Sequence, residues 1–476
     1  MKIIINLFVL LIASTTLAND LFKFSVPENI HLEGTYSSET TENGSFHLII
    51  MKEKYKKVFK IKPVFIQDNN KITDFEEVSL TYEPTIISHH TSGDISSFVI
   101  LNEKTKKLAV HNFNTNDHSH SSNEIDDIKA PSLTFRLADQ TLLFDFEKKG
   151  KSINFYKITS DNTINHQEII VPIELQDVTK EAMAAVAINQ NEYVTKGTLN
   201  NVKAFVKNNK LFFSIDDEKN NKSEVLSIGL DEKATFSLKE LHVSDSNIEK
   251  IKDYNSYLFD DKLYAIVAGK DDFELNLFDI ESEQVLKTLS LKEDISKNNS
   301  LDNFTDYLDK VSKGRIRPTI TANKTKKGNL KITIDQADIT VYRYNYNWWW
   351  HHHIFQQQMM IQQEMMIRQQ RQLMQSMPPG GFGPNMDYYD NHPEVYFKKE
   401  DLKPIVIIVD LSGNLLPQTD EETVHKNIDK EKNIELFEED KNIKKLSACF
   451  SSSEMRYVYQ DRKSKTVFIK TQPIKE

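Results

Sequence analysis

The chain of 476 residues carries 60 Lys and Arg against 70 Asp and Glu, a formal charge of −10. Such a surface repels phosphate backbones and no basic block offsets it, so nucleic acid is excluded as a partner. A single cysteine excludes an internal disulfide, and a chain long enough to enclose a large core must rely on burial alone.

The first 18 residues have the form of a secretory signal: Lys2, an apolar run from Ile3 to Ile12, and small residues ending in Thr16-Leu17-Ala18. The run is shorter than the roughly 20 apolar residues that span a bilayer. Cleavage after Ala18 and a secreted, periplasmic or extracellular location are expected. No later stretch is apolar for long enough to cross a membrane, so the mature protein is expected to be soluble.

From there strand patterns dominate, as pairs of apolar runs around short polar turns. Phe98–Leu101 is followed by Leu108–Val110, Leu142–Phe146 by Ile153–Tyr156, and Leu211–Ile215 by Val225–Ile228. The clearest unit runs from Tyr257 to Leu289 and places strands at 257–259, 262–268, 273–279 and 284–289. A four-stranded meander is the repeating unit of a propeller, and turns near residues 104, 149, 219 and 271 recur at a similar though irregular spacing. The expected fold is all-β, a degenerate β-propeller of six to eight blades; two or three β-sandwiches in series are the competing architecture. Glycine is scarce, 13 in all, so the turns use Asn, Asp and Lys.

Helices are few. Phe304, Tyr307, Leu308 and Val311 share a helical face within 302–314, and Gly314 supplies a stop. Lys180–Ala187 is Ala-rich but short. Ile405–Val409 reads as a fully buried strand, Asp410–Asn414 as a turn, and the charged stretch 421–445 as a solvated loop with a helical turn. Leu446–Phe450 alternates like a strand and places Cys449 as a small buried hydrophobe. A final hairpin is expected at 455–459 and 466–470.

Residues 347–392 interrupt this pattern. They contain all three tryptophans, Trp348, Trp349 and Trp350, and seven of the eleven methionines. From about 351 to 377 the residues are good helix formers, which gives a rod of about 40 Å. Phe355, Met359, Met366, Leu373 and Met377 lie along one line of it; Met360, Ile367 and Met374 flank that line, and Ile354, Ile361 and Met365 lie opposite. Pro378-Pro379 ends it. The apolar surface is wider than one domain-facing stripe, and three consecutive indoles cannot enter one side of one core. The segment reads as an α-helical arm inserted between blades 19–346 and a final part 393–476. Its residues Trp348, Trp349, Trp350, Phe355, Met359, Met366, Leu373 and Met377 are expected to contact a protein partner or a second copy. The competing fate is packing back on its own propeller. Lys and Arg are too sparse on its polar face for a membrane surface. Thioethers beside His351–His353 make Cu(I) binding a further alternative, although the spacing is not diagnostic.

No Gly-x-Ser-x-Gly, His-Glu-x-x-His, Cys-x-x-Cys or phosphate-loop pattern occurs, and Lys149-Gly150-Lys151-Ser152 reads as a turn. No catalytic residue and no cofactor is assigned. The segment from His111 to Asp127, with Asp117, His118, His120, Glu124, Asp126 and Asp127, has the donor types for a divalent ion but reads as a disordered polar loop. His89-His90 is a similar, weaker feature. Asn-x-Ser/Thr triplets start at Asn43, Asn221, Asn298, Asn303 and Asn323. The expected function is that of an exported, non-catalytic binding or scaffold module. An extracytoplasmic hydrolase or lyase with its site in the propeller channel is the alternative from another class.

Overall fold

The computed structural model describes residues 19–336 and 404–474, except 39–43, 126–130, 190–196, 244–247, 296–303, 418–422, 425–432, 434–442 and scattered single or paired positions. These residues form seven small sheets that follow one another along the chain. The first sheet joins Ile30–Ser37, Gly44–Glu53 and Phe59–Gln67, with the short strands Ile72–Asp74 and Val78–Leu80 at its edge. The second joins Pro84–Ser92, Ile95–Asn102, Leu108–Asn114 and His120–Ile125, and the third Leu133–Arg136, Gln140–Phe146, Ser152–Thr159 and Ile164–Ile170. The fourth contains Val202–Lys207, Lys210–Asp217, Lys222–Gly229 and Phe236–His242, with Val186–Ala187 added in parallel to its first strand. The fifth is Asp253–Phe259, Lys262–Ala268, Phe273–Asp279 and Gln284–Ser290; the sixth is Pro318–Lys324, Leu330–Gln336 and Ile405–Val409. The seventh takes Ile443–Phe450, Glu454–Asp461 and Thr466–Pro473 from the end of the chain, and its outer strand, Asn19–Ser25, from the beginning.

Two features make this a β-propeller. The closing sheet is shared by both ends of the chain, with Lys23 opposite Phe468 and Ser25 opposite Thr466. In addition, consecutive sheets pack face to face. Phe46, Leu48 and Ile50 of the first sheet meet Phe98, Ile100 and Phe113 of the second. Val99, Leu101 and Val110 on the other face of the second meet Leu143 and Ile158 of the third. The third packs on the fourth through Phe144 and Phe213, and one continuous cluster joins the fourth, fifth and sixth. Ile49, Met51, Val64 and Ile66 pack on Val458, Val467 and Ile469 of the seventh. A sheet buried on both faces loses the apolar/polar alternation, which is why Ile95–Asn102 and Lys262–Ala268 read as near-continuous apolar runs.

First strands are buried and last strands exposed: Pro84–Ser92 is covered over most of its length, whereas His120–Ile125 and Gln284–Ser290 are largely solvated. The first strands therefore line the centre. The strands expected between Tyr257 and Leu289 are present, with 262–268 and 273–279 at the positions read from sequence. The helix Phe304–Ser312 buries Phe304, Tyr307, Leu308 and Val311, and a second short helix spans Gln176–Ala182.

Two readings need correction. The segment from His111 to Asp127 is not a disordered loop up to Ile125: it is the third strand, a tight turn and the outer strand of the second sheet, with His111 opposite Ser122. Of this edge strand only Ile125 enters the core, so its apolar signal is weak. The closing sheet begins at Ile443, inside the stretch read as a solvated loop.

Candidate functional site: the polar seams between sheets

The sheets converge at the centre, and their inner edges carry small polar side chains where the outer parts carry Phe, Ile and Leu. Thr35 and Ser37 of the first sheet meet Ser447 of the seventh at 2.6 and 2.8 Å between hydroxyl oxygens. Ser88 of the second reaches Thr141 of the third at 3.0 Å, and Ser214 of the fourth reaches Ser256 of the fifth at 2.8 Å. All seven of these side chains are buried. Close approach of strands leaves room for small residues only, and once buried a hydroxyl must find a partner. Each seam therefore works as a specific cross-link between neighbouring sheets.

Charged groups extend the seams. Arg456 has no exposed surface, yet its guanidinium donates to Ser45 Oγ at 3.0 Å, to the Ile66 and Gln67 carbonyls at 2.7 and 3.1 Å, and to Glu454. It thereby ties the closing sheet to the first sheet. His47 lies beside it between Ser37 Oγ and Ser45 Oγ, each 2.9 Å away. Burial, reinforced by the Arg456 charge, lowers the His47 pKa to about 3, so the ring is neutral. On neighbouring strands of the fourth sheet, Lys203 and Asp216 form a buried ion pair at 2.8 Å, and Asp216 faces the fifth sheet. The remaining acceptor capacity of Asp216 is taken by Ser223 Oγ, Ser256 Oγ and the Ser256 N–H. Arg317 grips Asp253 through Nε and Nη2 at 2.9 and 3.1 Å, joining the fifth and sixth sheets.

His89 and His90 mark the inner edge of the second sheet and point to opposite faces. His89 hydrogen-bonds Tyr36 of the first sheet through Nδ1 and stacks on Phe98. His90 Nδ1 lies 3.0 Å from Thr141 Oγ1 of the third sheet. Burial lowers both pKa values, that of His90 to about 4, where Asp139 opposes and Arg136 reinforces the shift. In each ring Nε2 is buried and has no hydrogen-bond partner among the described residues. A hydroxyl beside a neutral imidazole has the composition of a nucleophile–base pair. However, Thr141, Ser88 and Ser37 are covered to 1 % exposure or less, so a substrate would have to open the seam to reach them.

The expected partner-contacting residues Trp348, Trp349, Trp350, Phe355, Met359, Met366, Leu373 and Met377 lie outside the described residues, as do Asp126, Asp127 and His351–His353. The strands that flank them are described: Leu330–Gln336 and Ile405–Val409 are hydrogen-bonded neighbours, with Ile334 opposite Ile405. The chain thus leaves and re-enters the sixth sheet at a single hairpin. Asp117 begins a turn by accepting from Ser119 N–H at 2.9 Å. His118 follows at positive φ, and Glu124 lies on the outer strand. His111, passed over in the sequence, is buried with Nδ1 3.1 Å from His120 Nε2. Cys449 is buried. Gly150 adopts φ +69° in a turn, as expected of the Lys149–Ser152 stretch. Among the glycosylation triplets, Asn323 is buried, which leaves no room for a glycan, and Asn221 sits at a turn; the others are not among the described residues.

Among the described residues no three His, Cys, Asp or Glu side chains stand together as a metal centre, and no helix is long and apolar enough to cross a membrane.

No protein-family model matches the chain and no curated protein matches it. Solved structures do. The β-propeller domain of the Trilobed protease from Pyrococcus furiosus, described as having an open velcro topology, aligns over 94 % of this chain and 97 % of its own at 9 % identity and a TM-score of 0.34. An acylaminoacyl peptidase aligns over 94 % of this chain at 7 % identity and a TM-score of 0.34, and the present chain spans about half of it, 53 %. The WD40 domain of SCAP from fission yeast aligns over 56 % of this chain and 67 % of its own at 9 % identity and a TM-score of 0.31. These are likenesses of fold.

Proposed function

We propose that the protein is an exported, non-catalytic β-propeller that serves as a scaffold, and that it associates with a partner or a second copy through the segment inserted in its sixth sheet. The observation that carries this reading is the direct pairing of Leu330–Gln336 with Ile405–Val409. A segment joining two neighbouring antiparallel strands is dispensable for the sheet, since a turn of two to five residues closes such a hairpin. A long connection there, rich in indoles and thioethers, is better explained by what it contacts than by what it connects. The buried polar groups support the same reading, because Arg456, Asp216 and the seam hydroxyls are used between sheets. A hydrolase would need an accessible nucleophile, and the hydroxyl–imidazole pairs of the inner edge are covered.

Replacing residues 337–403 by a short Asn-Gly turn tests the proposal. The shortened protein should melt cooperatively and sediment as a smaller species than the intact chain. If the deletion unfolds the protein while the intact chain sediments as a monomer, the segment is internal packing and the proposal fails.

A further inference from the structure

The outer strands of the second sheet hold a group of side chains that no seam uses. On one face of the hairpin Leu108–Asn114/His120–Ile125, His111 lies opposite Ser122, with His120 and Glu124 on its two diagonals. In an antiparallel pair such diagonal neighbours are about 7–8 Å apart at the backbone, within reach of long side chains. The two imidazoles make this reach: Nδ1 of His111 and Nε2 of His120 are 3.1 Å apart, and their rings are within 14° of parallel. Two nitrogen ligands of a first-row metal ion, each about 2.0–2.1 Å from it, stand about 3 Å from one another when their bonds meet near a right angle.

We propose that this hairpin binds a divalent first-row transition ion such as Zn²⁺ or Cu²⁺ through His111 and His120, with water completing its coordination and Glu124 able to swing in from the other diagonal. Two features support the assignment. The rings are held in place: His120 stacks on the buried ring of Phe113 with centroids 4.9 Å apart, and the opposite nitrogen of His111, Nε2, faces the Tyr82 hydroxyl at 3.5 Å, where ligating histidines commonly have an orienting partner. The pair is reached from the side of His120, which lies on the solvated edge strand, while His111 is buried beneath it. In the metal-free protein the same two nitrogens share a hydrogen bond; to chelate a metal, the donor ring shifts its proton to its other nitrogen and His120 tilts so that both lone pairs converge on the ion.

The test is Zn²⁺ titration of the full-length protein by calorimetry, with the metal alone as probe. His120→Ala and His120→Asn, on an exposed strand, should fold with unchanged melting temperature in chelator and bind one equivalent fewer than the parent. Zn²⁺ should raise the melting temperature of the parent by more than that of either variant. Metal bound by the histidines and methionines of the inserted segment is unaffected by these substitutions and cancels in the difference. Equal stoichiometry and equal Zn²⁺-induced stabilisation in parent and variants would overturn the assignment.

Discussion

Single residues in the seams carry a clear electrostatic signature. His47 and His90 are buried as neutral rings, with pKa values lowered to about 3 and about 4 from the ordinary value near 6.5, and His89 is displaced in the same direction. The unfolded chain therefore takes up protons near pH 6.5 that the folded protein refuses until far lower pH. The stability these groups confer is complete above the unfolded value and is lost progressively as pH falls through 6 towards 4. At about 1.4 kcal/mol per unit of displacement, the loss reaches several kcal/mol. Thermal melting from pH 7.5 to pH 4 should show a steep fall below pH 6.5, and His47→Gln should flatten it. A melting temperature constant down to pH 4.5 would contradict the buried, neutral assignment.

Among elements, the sixth sheet shows how a turn is matched to its neighbour. Asp410 accepts hydrogen bonds from the Ser412 and Asn414 N–H groups at 2.8 and 2.9 Å, and Gly413 between them adopts φ +82°. A Cβ on Gly413 would stand 2.5 Å from Leu277 Cδ2 of the fifth sheet, whereas one on Gly328, at φ +90° in the preceding turn, meets nothing within 4 Å. Left-handed backbone costs an L-residue about 1–2 kcal/mol. Gly328→Ala should lose that amount by denaturant unfolding, and Gly413→Ala should lose more by the displacement of Leu277. Equal losses would show that the contact between the sheets yields freely. The elements were unevenly legible in the sequence. Lys262–Ala268 and Phe273–Asp279 stand where their apolar runs placed them because both faces are buried. His120–Ile125 escaped notice because its side chains are largely exposed and only Ile125 enters the core.

For the molecule as a whole, the decisive feature is closure. Asn19–Ser25 completes the seventh sheet against Thr466–Pro473, and Leu21, Phe22 and Phe24 pack with Val467 and Ile469. Each half-buried apolar side chain contributes on the order of 1 kcal/mol, and removing the strand also exposes a sheet edge that invites aggregation. Deleting residues 19–25 should lower the melting temperature by several degrees and increase light scattering on heating. A deletion variant that melts like the parent would mean that the ring is held without this strand.

The sequence by itself determined the all-β class, the order of hairpins, the position of the Phe304–Ser312 helix and the buried state of Cys449, because each follows from the periodicity of neighbouring side chains. Only the tertiary structure decided which residues meet across seams. Thr35 and Ser447 touch from opposite ends of the chain, Arg456 spans the closing sheet to reach the Ile66 carbonyl, and His111 finds His120 diagonally across a hairpin. Local pattern reports which face of a strand is buried. It carries no record of the distant strand that the closed ring brings against that face.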